Sequence, residues 1–341
     1  MSPRDVVVVG AGPVGSVTAL AAARAGLTVT VVERRDGVQD KACGEGLMPA
    51  ALDVLTRLGV DPPGRAFTGI TYRQGGRAVT ARFRRGPGRG VRRTALSGTL
   101  REAVRAAGVD IVRGDGSDLE LGDGRVRVAG VEARYVVAAD GLHSPVRRAL
   151  GVDPTPSSRA RYGWRRHHQL APWSDTVEVT WAADSEAYVT PVADDLVGVA
   201  VLSTRRASLD EHLTAFPELQ QRLQGAPVAS SDRGAGPLRQ DVRRRVIGPV
   251  LLVGDAAGYV DALTGEGMAV GFTGAEALVR CLVDGRPRDW DRRWRQVSRE
   301  PRWLTHGLLW ARHQPWLGPR VVPVATRAPA LFGAVVDRVA G

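Results

Sequence analysis

The chain has 341 residues, 43% hydrophobic and 24% charged, enough for one large domain or two closely packed ones with a sizeable core. Its formal net charge of +11 suggests a polyanion partner at first sight, yet Lys41 is the only lysine, asparagine is absent, and the arginines are interleaved with Asp and Glu throughout. That pattern reflects biased residue usage rather than a basic stripe, so no nucleic-acid partner is expected, while an acidic or phosphate-bearing ligand stays compatible.

Cys43 and Cys281 lie far apart without metal-ligand spacing. No metal is expected; the count permits a disulfide but nothing argues for one, and a cytoplasmic location follows. The first residues run straight into a strand, leaving no room for a signal peptide. The apolar stretch 321–336 is broken by Pro323, Arg327 and Pro329, so no transmembrane segment is expected.

In chain order, residues 5–9 form a β-branched run typical of a strand buried on both faces of a parallel sheet. It passes into Gly10-Ala11-Gly12-Pro13-Val14-Gly15, an alanine-rich helix over 16–25 ended by Gly26, and a second strand over 28–32 closed by Glu33. Gly10 permits the tight turn, Gly12 lets a pyrophosphate approach the backbone, and Gly15 allows close helix–strand packing. The start of the helix, with Pro13 in its first turn, faces the phosphates, and Glu33 stands where an acidic residue meets an adenosine ribose. A glycine-rich turn in an ordinary βαβ unit is the alternative. It explains the glycines but not the acidic residue in register.

Lys41-Ala42-Cys43-Gly44-Glu45-Gly46 follows, then a helix over 48–58, and a hairpin over 69–83 turning at Gly75-Gly76. Arg93 precedes Leu96 and Leu100 on a further helix. Residues 136–139 read as a strand ending in Asp140-Gly141, with Ser144 and Arg147 beyond. Between 156 and 235 the pattern alternates: 176–181, 186–192 and 196–202 are antiparallel strands of a sheet with one buried face, the last two joined at Asp194-Asp195. Strand 250–253 leads into Gly254-Asp255-Ala256-Ala257-Gly258, and Gly265-Glu266-Gly267 opens a small-residue helix from Met268 to Val283. In Arg165-Arg166-His167-His168, neighbouring histidines on a strand point to opposite faces, so at most one enters a pocket. A surface or rim role and an acid/base role both stay open there, with His168 the named candidate. The tail from 291 carries Trp294, Trp303, Trp310 and Trp316. Its stripe Trp303, Leu304, Gly307, Leu308, Leu309 predicts a helix packed on the main domain, with a peripheral membrane helix as the less favoured reading.

These segments together resemble the para-hydroxybenzoate hydroxylase-like superfamily of FAD-dependent oxidoreductases and monooxygenases, and within it the geranylgeranyl reductase-like branch. The resemblance implies an α/β fold: a discontinuous FAD-binding Rossmann-like domain of glutathione-reductase type (1–65, 90–155, 236–290). An antiparallel β-sheet substrate layer (66–89, 156–235) and a helical C-terminal tail (291–341) complete it. It implies FAD contacts from Gly10, Gly12, Pro13, Gly15, Glu33, Arg34, Lys41, Cys43, Gly44, Arg93, Asp140, Gly141, Gly254, Asp255, Gly265, Gly267 and Met268, with NAD(P)H as a transient co-substrate. It also points to Tyr188 and Pro191, in Tyr188-Val189-Thr190-Pro191, beside His168 as the substrate-pocket candidates for a small hydrophobic or aromatic molecule.

Lys41 reaches a phosphate or sits solvated in its loop. Cys43 packs beside the ring, or less simply acts as a covalent flavin ligand or redox thiol. Two departures bear on the reaction. Ala262 replaces the branch's usual proline before Leu263-Thr264, and the tryptophan and phenylalanine of prenyl reductases are missing around Tyr188. The expected activity is therefore an NAD(P)H-dependent monooxygenase acting on a small, secondary-metabolite-like substrate through a flavin C4a-hydroperoxide. A double-bond reductase is the alternative, and a non-catalytic flavin-binding sensor the alternative of another class. No catalytic side chain is singled out, and NAD alone on a Rossmann dehydrogenase leaves the later Gly-Asp segment unexplained.

Overall fold

The computed structural model describes residues 3–154, 160–263, 265–314, 321–328, 332–334 and 336–337. Its eight-stranded sheet has a parallel core in the order Val250–Leu252, Val131–Ala138, Arg4–Val9, Val29–Glu33, Asp110–Arg113. Val6 to Val9 are at most 1% exposed, as expected of a central strand covered on both faces. Helix Pro13–Arg24 begins with proline, which has no N–H to leave unpaired, and is followed by Gly26 in the left-handed region. Helix Gly267–Val283 packs against it so closely that a Cβ on Gly271 would stand 2.5 Å from a Val14 methyl. The small residues of this helix are thus explained by packing density.

The second sheet has seven strands, ordered Arg233–Ala235, Tyr162–Gln169, Leu196–Ser203, Ser185–Ala193, Val177–Trp181, Gly69–Gln74, Arg77–Arg82. The expected hairpins are present, with Gly75 and Gly76 both at positive φ. Pairing is antiparallel throughout except between Val177–Trp181 and Gly69–Gln74, which run parallel across a long stretch of intervening chain. One face packs Val189, Val197, Val199 and Val201 against short helices at Leu209–Leu213 and Pro217–Leu223. The other carries Tyr72, Val179, Trp181, Tyr188 and Ala200, in one cluster with Met48, Tyr259 and Ala262. A small sheet of Gly46–Leu47, Gly88–Gly90 and Arg65–Phe67 holds the end of the Lys41–Gly46 loop.

Helix Trp290–His313 continues the chain. Trp290 is fully buried and its Nε1 donates to the Leu252 carbonyl at 2.7 Å, while the Arg245 guanidinium lies 3.6 Å over the Trp294 ring. Packing on the main domain is therefore right for this half of the helix. The predicted stripe is not the packed face: Trp303, which belongs to it, is 73% exposed and Trp310 further on 59%, whereas Thr305 between them is 4% exposed. Trp316 and Thr264 lie outside the described residues. Helix Val321–Arg327 packs Val322 and Ala325 onto the aromatic face of the second sheet. No helix among the described residues is long and apolar enough to cross a membrane. The architecture is the expected α/β one: a Rossmann-like domain, a β-sheet layer and a helical C-terminal region.

Candidate functional site

At the carboxyl ends of the parallel strands the predicted glycines divide into two kinds. Gly10 has φ 102°, and a Cβ there would stand 2.7 Å from the Ala139 carbonyl oxygen. A Cβ on Gly15 would stand 1.8 Å from the Gly10 carbonyl oxygen. Both are glycine for packing. Gly12, Gly44 and Gly141 would meet nothing within 4 Å, so their bare backbone faces open space. Bare backbone at the start of a helix is what a pyrophosphate needs.

Glu33 is held in place by its own backbone neighbours: its Oε2 accepts the Ala11 N–H at 2.8 Å and its Oε1 the Arg35 N–H at 3.0 Å. Lys41 is exposed at the lip of the cleft, where the cleft walls lower its pKa, helped by Arg93 and opposed by Glu33 and Asp255. Burial raises the Asp255 pKa, against the pull of Arg93, Lys41 and Arg147. Glu33, Lys41, Arg93 and Asp255, spread over more than 200 residues of sequence, thus share one electrostatic environment. Arg34 does not join them; it is exposed, near Asp115, and its neighbour Arg35 is the one that faces Lys41.

Asp140 uses Oδ2 to accept from Ser144 Oγ (2.8 Å) and the Val146 N–H (3.1 Å), and burial raises its pKa. Its Oδ1 and the Nε of Arg93 are buried without a hydrogen-bond partner among the described residues. Arg147, 1% exposed, braces the neighbouring turn by donating to the carbonyls of Asp255 (3.3 Å) and Ala256 (3.1 Å). Gly265 (φ 69°) lies over the Met48 thioether methyl, Gly267 against the Tyr259 ring, and Met268 against the main core. Gly254, at φ 61°, rests on Val14.

These features fit a flavin dinucleotide: a helix start with open backbone for the pyrophosphate, a carboxylate for the ribose, a cation between two carboxylates, and orphaned polar atoms on Arg93 and Asp140. Fold and site together define a dinucleotide-binding flavoprotein. Residues 4–284 match the family model described as FAD binding domain, and the chain belongs to that family of flavin-dependent oxidoreductases.

Among relatives, conditioned medium factor receptor 1 of Dictyostelium discoideum is 25% identical over 82% of this chain, which spans 63% of that protein. The menaquinone reductase of Mycobacterium tuberculosis is 28% identical over 97% of this chain and 90% of its own length. Digeranylgeranylglycerophospholipid reductase 1 of Methanopyrus kandleri is 32% identical over 77% and 76%. The fold is shared with a flavin-dependent brominase triple mutant (TM-score 0.82, 17% identical, 99% of this chain and 95% of that one). It is shared too with a geranylgeranyl bacteriochlorophyll reductase-like protein of Thermoplasma acidophilum (TM-score 0.76, 19% identical, 99% and 91%).

The three substrate-pocket candidates separate. Tyr188 lies on the sheet face shared with Met48, Tyr259 and Ala262, its hydroxyl donating to the Leu263 carbonyl at 3.0 Å. Pro191 does not: it sits on the far face with Val189, Val197 and Trp173. His168 is also on that far face, near Asp210 and Asp232. Strand alternation sends Arg165 and His167 the other way, so His167 is the histidine that reaches the Lys41–Gly46 loop. Its Nε2 lies 2.6 Å from Glu45 Oε2, and Thr190, not Pro191, touches the loop through the Gly44 carbonyl at 2.7 Å. Glu45, His167 and Thr190 were not singled out from sequence. Period-two alternation outward from Tyr188 marks Thr190 as facing the site. Nothing local marks Glu45.

Cys43 and Cys281 are both free thiols. The Cys43 sulfur accepts the Glu45 N–H at 3.3 Å, a packing and turn-closing role. Cys43→Ser is therefore expected to keep noncovalent FAD and slow turnover modestly. FAD mass retained on the Cys43 peptide after denaturation would overturn that role. Gly44→Val is expected to leave the apoprotein folded, since nothing crowds that position, but to lower its flavin content measurably after gel filtration.

Proposed function

We propose that this flavoprotein takes electrons from NAD(P)H and passes them to an apolar organic substrate lying against the aromatic layer of Tyr72, Trp181, Tyr188 and Tyr259. The observation that supports this reading is the placement of one loop, Lys41–Gly46, between that layer and the cluster of Glu33, Arg93 and Asp255. A substrate on the sheet side and a cofactor on the other would be within reach of each other across Gly44.

Bound FAD would supply two-electron redox chemistry. The protein's share is binding and orientation. The open amides at Gly12 would hold the pyrophosphate, Glu33 and Asp255 would accept from hydroxyls, and Lys41 would offset phosphate charge. The start of helix Gly267–Val283 would place its partial positive charge near developing negative charge on the cofactor. Tyr188, tied to Leu263, and Trp181, stacked edge-on to Tyr72 at 6.1 Å, would keep water from the reacting carbon atoms.

Reduction of a carbon–carbon double bond is the first reading, because relatives matched over most of their length are named reductases. Oxygen insertion is the second. It is favoured by Ala262 in place of the branch's proline and by the missing tryptophan and phenylalanine near Tyr188. The purified protein is expected to be yellow and to release FAD, not FMN, on denaturation. After anaerobic reduction by NADPH, reoxidation without oxygen by a polyprenyl compound, with one of its chain double bonds recovered saturated in the product, would support the first reading. Reoxidation only by oxygen, with one oxygen atom recovered in product, would support the second. NADPH oxidation at no more than a trace rate under either condition would reject both.

A further inference from the structure

Glu45 combines three features seldom found in one residue. It is 1% exposed, it carries a carboxylate, and it holds φ at 59°, the left-handed region that side chains other than glycine's avoid. Something must hold it there. Its carbonyl accepts the Val91 N–H at 2.8 Å, and its Oε1 accepts the Arg93 N–H at 2.7 Å. Its Oε2 meets His167 Nε2 at 2.6 Å.

The protonation of this pair follows from the donors around it. Arg165 Nη1, which can only donate, lies 3.2 Å from His167 Nδ1, with Ser230 Oγ at 2.8 Å. An Nδ1 that accepts from these donors leaves the ring proton on Nε2, where it can be donated to Glu45 Oε2. Arg165 itself pairs with Asp40, which also takes Arg233 at 3.0 Å, and Arg165 Nε stands 3.7 Å from Glu45 Oε1. Two carboxylates, Glu45 and Asp40, face two guanidiniums, so the cluster is close to neutral despite its burial.

Each contact leads to a different element. His167 and Arg165 come from strand Tyr162–Gln169, Val91 and Arg93 from the approach to helix Arg93–Ala106, and Thr190 reaches Gly44 from strand Ser185–Ala193. We propose that Glu45 is a positioning residue: its carboxylate locks the Lys41–Gly46 loop to the substrate sheet and to Arg93, and so sets where Gly44 and Cys43 stand against the cofactor. The proposal rests on the reading of that loop as a flavin loop.

The test uses the full chain with FAD titrated into apoprotein, followed by flavin fluorescence, and the visible spectrum of bound flavin at saturation. Glu45→Ala is expected to weaken FAD binding at least tenfold and to move the bound spectrum toward that of free FAD. Glu45→Gly relaxes the backbone but removes the carboxylate, so it is expected to be no better than Glu45→Ala. Glu45→Gln keeps the size and one acceptor and is expected to recover part of the affinity. His167→Ala combined with Glu45→Ala is expected to be no worse than Glu45→Ala alone. Should Glu45→Ala fail to fold, Glu45→Gln decides: wild-type affinity and spectrum there would overturn the proposal. Glu45→Gly matching the wild type would overturn it equally, since backbone shape alone would then suffice. Wild-type protein that takes up no FAD overturns both this role and the cofactor reading beneath it.

Discussion

Gly15→Ala and Gly12→Ala, three residues apart in one motif, are expected to fail in opposite ways. At Gly15 the new Cβ would lie 1.8 Å from the Gly10 carbonyl oxygen and 3.2 Å from the Ala139 Cβ. The first of these is backbone of the central turn, which cannot swing aside as a side chain can. Overpacking of this kind costs about 3 kcal/mol or more, so the apoprotein should melt earlier and much of it should not fold. At Gly12 the backbone is at φ −69° and ψ 174°, which alanine adopts freely, and no atom lies within 4 Å. Apoprotein stability should stay within about 0.5 kcal/mol of wild type. FAD affinity should not. A methyl group over the helix start would displace the pyrophosphate from two charge-assisted amide contacts of about 1.5–3 kcal/mol each, a loss of roughly a hundredfold or more. Thermal melts of the two apoproteins with a flavin titration separate the outcomes. A Gly12→Ala protein that binds FAD like wild type would place the pyrophosphate elsewhere.

A second contrast, Asp255→Ala against Asp261→Ala, should divide cofactor binding from stability within seven residues of chain. Asp255 is half-buried beside Arg93 and Lys41, and burial holds its folded pKa above the ordinary carboxylate value. A raised folded pKa means that the folded state binds this proton more tightly than the unfolded chain does. The ionised carboxylate therefore weakens the apoprotein at neutral pH, and that penalty fades as pH falls through the folded pKa. Asp255→Ala should leave the apoprotein at least as stable as wild type at pH 7. It should lose one charged hydrogen bond to a flavin hydroxyl, about 1.5–3 kcal/mol or ten- to a hundredfold in affinity.

Asp261 is committed within the protein. Its Oδ1 accepts from Arg161 Nη1 at 3.2 Å and from the Leu263 N–H at 3.0 Å, and Arg161 also pairs with the fully buried Glu186. Removing it takes one carboxylate away from a buried guanidinium, which should cost about 3 kcal/mol while the remaining folded protein keeps its flavin. Equal flavin occupancy in the two variants would reject the assignment of Asp255.

The strand–glycine–helix unit from Arg4 to Glu33 was legible because everything that specifies it is local. Valines covered on both faces, a proline at the helix start and glycines at fixed offsets are properties of neighbouring residues. The hairpins were legible for the same reason: period-two alternation and the turn residues Gly75-Gly76 and Asp194-Asp195 lie within a few positions of each other. Side-chain direction was legible only where the register was. Alternation puts His167 and His168 on opposite faces, but choosing between them needs knowledge of which face meets the loop, and the sequence-based choice of His168 and Pro191 named two residues of the opposite face.

What local pattern determined here is the class of fold, the dinucleotide turn and the order of the flavin segments along the chain. Tertiary structure alone decided which side chains meet. The parallel pairing of Val177–Trp181 with Gly69–Gln74 joins strands about a hundred residues apart, and the bond between Glu45 and His167 spans 122 positions. The exposure of Trp303 and Trp310 was likewise settled by which face of the helix meets the domain, the face that carries Thr305. The physical reason is one of range: backbone preference and hydrophobic period act over one or two turns, whereas a buried carboxylate at positive φ is stable only through partners that the completed fold delivers.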